Sequence, residues 1–221
     1  MLENVIPHPP ALPEAKQPEE DGPLRIGFFG QISRLKGIGV LFETAKILEA
    51  EGYTKVVFDI HGDYRGQPPE FQKEFLDQLA EAGSNIRFMG PYEPGRVDLL
   101  MQQVDVTIVP SIWWENSPVV VQEAFRNRRP VICSNIGGTA EKVRDGVDGW
   151  HFNVGSSLAL GALLKRISGN RQLVFDISRG MQYPAAPQTV VAAHGRLYDD
   201  LLPPDVRMAA LGAAVIVETP L

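Results

Sequence analysis

Basic charge and cysteine are both scarce in this sequence. Lysine and arginine total 21 against 27 aspartate and glutamate residues, which gives a net charge of −6. A broad nucleic-acid-binding surface normally needs a basic face, so we do not expect nucleic acid as a partner. The single cysteine, Cys133, lies in an apolar run and cannot form an internal disulfide bond. A lone buried thiol suits a reducing compartment.

Long apolar runs are also missing. The longest unbroken run of apolar residues and glycine covers 208–217, which is shorter than the roughly 20 residues that a membrane helix needs. The first residues have neither the basic region nor the apolar region of a secretory signal. We therefore predict no membrane span and a cytoplasmic location. Peripheral attachment of a longer protein to a membrane stays open.

Residues that commonly bind metal ions are few and scattered. The chain has four histidines and no Asp-x-Asp step that would offer two carboxylates to a divalent cation. His61 follows a predicted strand, but a single histidine is more often structural. We predict no metal site and no cofactor.

Proline is concentrated at one end of the chain. Six of the 18 prolines and an acidic run, EEDG, fall within the first 23 residues, a composition typical of an extended linker. We therefore divide the chain into a linker at 1–23, a domain at 24–202 and a tail of uncertain structure at 203–221.

From Leu24 onward, short β-rich runs alternate with helical patterns. LRIGFF, KVVFDI, NIRFMG, VDVTIVPS, PVICS and GWHF are the predicted strands. Alternation at this spacing predicts βαβ units and a three-layer α/β/α fold with a mostly parallel sheet. Ligands of such sheets bind at the carboxyl ends of the strands, so the loops after the strands are the candidate site.

Two glutamates, Glu115 and Glu123, flank the predicted start of one helix. Ser117 suits the N-cap of that helix and Pro118 its first position. Free N–H groups at a helix start bind anions, and ionised carboxylates accept hydrogen bonds from sugar hydroxyls. In the alternative interpretation, Glu123 pairs with Arg126 on a solvated face and Glu115 is a simple loop acid.

Two glycine-rich loops follow other strands. GQISRLKG carries Arg34 and Lys36, and it is either a flexible turn or a loop whose cations neutralise a diphosphate. Gly137 and Gly138 lead into a helix that we expect Thr139 to cap. These glycines form either a tight turn or a nest of N–H groups that faces a ligand.

These loops, in this order, resemble the C-terminal donor-binding domain of the GT-B retaining glycosyltransferases of family 4, also called group 1. The resemblance covers about 24–202 and is most specific in the stretch from PSIWWENSP to GWHF. That stretch contains the family's two glutamates with seven residues between them, as Glu115 and Glu123. GQISRLKG is similar to the family's GRL…KG loop. The resemblance implies a Rossmann-like domain that forms one half of a GT-B fold.

The resemblance also implies roles for individual residues. Glu115 would contact the donor sugar as the candidate catalytic residue, Glu123 would contact the ribose, and Lys36 would hold the diphosphate. Gln31 stands where many members have arginine, and the segment 88–92 matches the one that frames the base. The predicted donor-binding residues are Gln31, Arg34, Lys36, Met89, Tyr92, Asn116, Ser117, Pro118, Val119 and Glu123.

The implied function is sugar transfer from a nucleoside diphosphate sugar, with retention at the anomeric carbon and without a metal. The acceptor, a sugar or a lipid-linked glycan of polysaccharide biosynthesis, would be held by an N-terminal domain that this chain lacks, so the fragment alone is expected to be inactive. The alternatives are a nucleotide-sugar epimerase of related fold and a non-catalytic Rossmann-like nucleotide-binding module. The donor base, the donor sugar and a nucleophilic role for Glu115 stay open.

Overall fold

The computed structural model describes residues 4, 6, 13–17 and 22–201. The described residues fall into two compact units, and the larger one lies within Pro9–Pro184. The elements in chain order are β1 (Leu24–Phe29), α1 (Ile38–Ala50), β2 (Val56–His61), α2 (Pro69–Ala80), β3 (Ile86–Gly90), a 3-10 turn (Pro94–Arg96), α3 (Val97–Met101), β4 (Val106–Val109), α4 (Val119–Arg126), β5 (Val131–Ser134), α5 (Gly137–Lys142), β6 (Gly149–Phe152), α6 (Ser157–Ser168), α7 (Gln172–Gly180) and α8 (Pro187–Leu201). Helix α8 belongs to the smaller unit. Most of the predicted linker at 1–23 and the whole predicted tail at 203–221 lie outside the described residues.

The six strands form one sheet in the order β3-β2-β1-β4-β5-β6. Every neighbouring pair is parallel, which confirms the predicted α/β fold with its parallel sheet. The chain moves outward from β1 to β3 and then returns to place β4 on the other side of β1. The strand order therefore reverses between β1 and β4, and a crevice opens outside their carboxyl ends.

Helices pack on both faces of the sheet, as predicted from the alternation of strands and helices. On one face, buried side chains of α1, α2 and α6 form a core with residues such as Ile26, Phe58 and Ile108. On the other face, α3 and α4 pack against a second cluster that includes Val109 and Cys133. Burial raises the pKa of the Cys133 thiol to about 12, so this cysteine is an unreactive core residue.

A glycine allows the loop after β1 to pack closely against the loop after β4. Gly37, the N-cap of α1, has a left-handed φ of 75°, and a Cβ there would lie 1.9 Å from the carbonyl oxygen of Pro110. Because glycine has no Cβ, the two backbones can touch, and the Ile112 N–H donates to the carbonyl of Leu35 at 3.0 Å. This contact places Lys36 beside the chain that leads to Glu115.

Two predicted helix starts are wrong, by one residue for α4 and by three residues for α5. Helix α4 begins at Val119, with Pro118 in an extended conformation as its N-cap, so Ser117 is not the cap residue. Helix α5 begins at Gly137 with Ile136 as its N-cap, and Thr139 is buried inside it. In both cases the backbone conformation before the helix, rather than the best-capping side chain, sets the boundary. Within the described ranges, no helix combines the length and apolar character needed to cross a bilayer.

Candidate functional site

A cleft of about 630 Å³ opens at the carboxyl ends of β1, β2, β3 and β4. It lies over the point where the strand order reverses, which is where parallel sheets of this type bind ligands. Residues that follow the four strands line it, among them Gly30, Gly62, Tyr92 and Ser111. Loops after β1, β2, β3 and β4 thus line a cavity, and its role as a ligand site stays a prediction.

Lys36 and Glu115 meet at one side of this cleft. The Lys36 Nζ lies 2.6 Å from Oε1 of Glu115, and the Ser111 hydroxyl donates to the same oxygen at 2.8 Å. The Glu115 side chain is only 10% exposed, whereas that of Lys36 is 37% exposed. Lys36 and Ser111 line the cleft directly, and the Glu115 carboxylate lies behind them.

The start of α5 holds the backbone of Glu115. The Gly138 N–H donates to the Glu115 carbonyl at 2.7 Å. A Cβ on Gly138 would lie 1.9 Å from the carbonyl oxygen of Asn116, so only glycine allows this approach. The two glycines are therefore the first residues of α5, and the contact at Gly138 fixes the loop that carries Glu115.

Glu123 lines the cleft from the first turns of α4 and is half-buried. Burial raises the pKa of its carboxyl, Arg126 opposes this effect, and Asp98 adds to it. The solvated pair of Glu123 and Arg126 is not observed, because the Arg126 side chain is 6% exposed and lies 2.6 Å from Oδ1 of Asp98. The Glu123 carboxylate makes no hydrogen bond or salt bridge in the described part of the chain, and this leaves it available to a ligand.

An aromatic group forms another wall. Phe29 and His61 stack with ring centroids 4.7 Å apart, and Tyr92 meets both rings edge-on. Burial raises the pKa of Tyr92 to about 12, with a further contribution from Glu123. Burial also lowers the pKa of His61, so its neutral ring packs as a core aromatic rather than serving as a charged group.

The structure separates the two cations of the loop after β1. The Arg34 Nε donates to Oε2 of Glu74 at 3.0 Å, and its guanidinium lies 5.6 Å from the centre of the Phe71 ring. Arg34 is therefore directed towards α2 and is not among the residues that line the cleft. A diphosphate would have to draw Arg34 away from Glu74.

The remaining predicted residues divide between the cleft and its surroundings. Gln31, Tyr92, Pro118 and Val119 line the cleft. Met89 is 48% exposed and Asn116 is exposed, and neither they nor Ser117 line the cavity. No ligand is present, so the donor-binding role of each stays a prediction.

Two side chains in this region were not predicted from the sequence. Ser111 follows β4 directly after Pro110 and donates to Glu115, and Asp63 follows β2 and lines the cleft beside Gly62. Their positions just past strand ends were the available signal. Among the described residues, no three histidine, cysteine, aspartate or glutamate side chains come together in a way that could hold a metal ion.

The chain is similar to several named glycosyltransferases. It is 32% identical over 128 residues to the lipopolysaccharide 1,2-N-acetylglucosaminetransferase of Salmonella typhimurium, covering 57% of this chain and 34% of that protein. It is 28% identical over 155 residues to the amylovoran biosynthesis glycosyltransferase AmsK of Erwinia amylovora, covering 66% of this chain and 36% of that protein. The chain thus spans about a third of the length of these relatives.

Solved structures share the fold. Anabaena HepE in complex with UDP-glucose superposes with a TM-score of 0.71 at 22% identity, covering 80% of this chain and 49% of that one. The C-terminal domain of the group 1 glycosyl transferase LpcC from Francisella tularensis gives a TM-score of 0.62 at 21% identity, covering 78% and 86%. The family model "Glycosyl transferases group 1" matches residues 13–179, most of the chain. The chain therefore belongs to the group 1 glycosyl transferases.

Proposed function

We propose that this chain is the donor-binding half of a glycosyltransferase that uses a nucleoside diphosphate sugar and retains the anomeric configuration. The observation that carries the proposal is that Lys36 and Glu123 line a single cleft at the strand-order reversal and that Lys36 is bonded to Glu115 there. A cation can bind an anionic group of a ligand, and carboxylates can bind the hydroxyl groups of its sugar rings. A nucleoside diphosphate sugar has both kinds of group.

The proposed pose follows from the charges. The diphosphate binds Lys36, and the N–H groups at the start of α4 add a second anion-binding element. The ribose hydroxyls donate to the Glu123 carboxylate, and the base lies near Tyr92. The sugar then extends towards Glu115 and Ser111 on the Lys36 side of the cleft.

The chemical role that we assign to Glu115 is electrostatic. Breaking the bond between the sugar and the diphosphate develops positive charge at the anomeric carbon, and a nearby carboxylate stabilises that charge. Lys36 stabilises the negative charge that develops on the leaving diphosphate. Transfer also needs an acceptor held in line with the anomeric carbon, and we assign that positioning to a part of the enzyme outside this chain.

Calorimetric titration of the chain with UDP, GDP, ADP and UDP-glucose tests this function. We expect one of the three nucleotides to bind, in EDTA as well as in buffer, because the proposed neutralising group is a lysine rather than a metal. UDP is the first choice, since HepE was solved with UDP-glucose. Binding of none of these ligands would refute the proposal.

A matched pair of variants locates the binding. Lys36→Met should weaken binding of the nucleotide, whereas Lys55→Met should not. Lys55 is exposed and directly precedes β2, so it lies at the amino ends of the strands, whereas the cleft lies at their carboxyl ends. Product analysis after incubation with UDP-glucose should show neither transfer nor an epimerised sugar. An epimerised sugar would support the epimerase alternative.

A further inference from the structure

We infer that Ser111 is a positioning residue that keeps the Glu115 carboxylate oriented when the donor's diphosphate draws Lys36 away. This inference rests on the proposed function, and it concerns a residue to which the sequence argument gave no role. Two donors, the Lys36 ammonium and the Ser111 hydroxyl, share Oε1 of Glu115, at 2.6 and 2.8 Å. Among the described residues, the second oxygen, Oε2, accepts no hydrogen bond.

The two donors differ in how firmly they are held. Lys36 reaches Glu115 with a long flexible side chain that is 37% exposed. Ser111 has a short side chain, is 1% exposed and follows β4 by two residues. The ammonium can therefore move over a few ångströms at little cost, whereas the hydroxyl position is set by the sheet.

A bound diphosphate competes with Glu115 for the same ammonium. It carries more negative charge than a single carboxylate, and Lys36 already lines the cleft in which it would bind. When Lys36 turns to the diphosphate, Ser111 is the side chain that still donates to Glu115 in the described structure. Its bond keeps Oε1 occupied and leaves Oε2 for a hydroxyl of the donor sugar.

This arrangement predicts that Ser111 affects recognition of the sugar and not of the nucleotide. Calorimetry with UDP and UDP-glucose on the whole chain measures both. Ser111→Ala should weaken UDP-glucose binding by about 10-fold or more, the effect of one hydrogen bond to a charged group, and leave UDP binding within about twofold. Ser168→Ala is the control, because Ser168 is a buried, hydrogen-bonded serine in α6, and this change should alter neither affinity.

A double-mutant cycle separates positioning from a general structural effect. In a Glu115→Ala background there is no carboxylate to orient, so adding Ser111→Ala should cause no further loss of UDP-glucose affinity. Equal losses for UDP and UDP-glucose, or an undiminished loss in the Glu115→Ala background, would overturn the inference. Failure of the unmodified chain to bind UDP, GDP and ADP would instead count against the proposed function itself.

Discussion

Replacing Glu123 by glutamine should weaken ligand binding and stabilise the fold at the same time. The change keeps the size of the side chain and removes its charge. Glu123 lines the cleft, is half-buried and has no salt bridge within the described residues. Its charge therefore serves the ligand rather than the fold, and the two effects should separate.

The binding loss follows from the bonds proposed to the ribose. Hydrogen bonds to a charged acceptor contribute about 1.5–3 kcal/mol, and the amide of glutamine keeps one acceptor oxygen without the charge. We therefore expect UDP and UDP-glucose to bind about 10- to 150-fold more weakly to the variant. Both ligands should lose affinity by the same factor, because they share the ribose.

The stability gain follows from the raised pKa of Glu123, which burial causes and Asp98 increases against the opposing effect of Arg126. A carboxyl whose pKa is higher in the folded state binds its proton more tightly there. That contribution to stability is complete below the ordinary pKa of 4.5 and is lost as the pH rises through the folded-state value. At pH 7 the ionised carboxylate is therefore unfavourable, and we expect Glu123→Gln to raise the free energy of unfolding by about 0.5–1 kcal/mol.

Urea unfolding at pH 7 and at pH 4.5 measures the stability, and calorimetry measures the binding. The advantage of the variant should shrink towards pH 4.5, where Glu123 in the unmodified chain becomes protonated. Glu43→Gln is the control, since Glu43 is exposed on α1 and should change neither property. A variant that loses stability at pH 7 but binds UDP normally would refute the reasoning, because it would make Glu123 a structural residue.

Four further outcomes are expected. Lys36→Met should weaken UDP binding by about 10-fold or more in calorimetry, while its thermal midpoint changes little, because a partly exposed ion pair contributes under about 1 kcal/mol to stability. Glu115→Gln should leave UDP affinity unchanged or tighter, since Lys36 loses a competing anion, yet weaken UDP-glucose; equal losses for both ligands would contradict the assigned roles. Gly138→Ala should impair UDP-glucose binding, because its Cβ would meet the Asn116 carbonyl, and a crystal structure with an unmoved Glu115 loop would disprove this. EDTA should not reduce UDP affinity, and a requirement for magnesium or manganese would show that Lys36 is not the main neutralising group.

The order of strands and helices could be predicted from the sequence because it depends on local patterns. β1 was predicted as LRIGFF and is observed at Leu24–Phe29. Apolar residues at helical spacing and short β-rich runs predict the observed elements because each element buries its own apolar face. The helix starts were less predictable, since the chain conformation at Pro118 and Ile136 depends on what lies beside it.

Which residues form the candidate site could be predicted only in part from the sequence. Two cations in one loop, Arg34 and Lys36, were candidates for the diphosphate, and only the family resemblance favoured Lys36. The structure directs Arg34 to Glu74, 40 residues away, and Lys36 to Glu115, 79 residues away. Arg34 lies beside α2, whereas Lys36 lies beside the chain that follows β4. The two cations are only two residues apart in sequence, but they therefore form ion pairs with different parts of the fold.

The sequence by itself determined an α/β domain with its ligand loops after the strands, and it singled out Glu115 and Glu123 by their spacing around a helix start. Only the tertiary structure decided that Ser111 and Lys36 both donate to one oxygen of Glu115. It also decided that Arg126 forms its salt bridge with Asp98 rather than with Glu123. Secondary structure follows from side chains that are neighbours along the chain. The hydrogen bonds of a site depend on which backbones can touch, and here Gly37 and Gly138 permit the contacts with Pro110 and Asn116 that bring distant residues together.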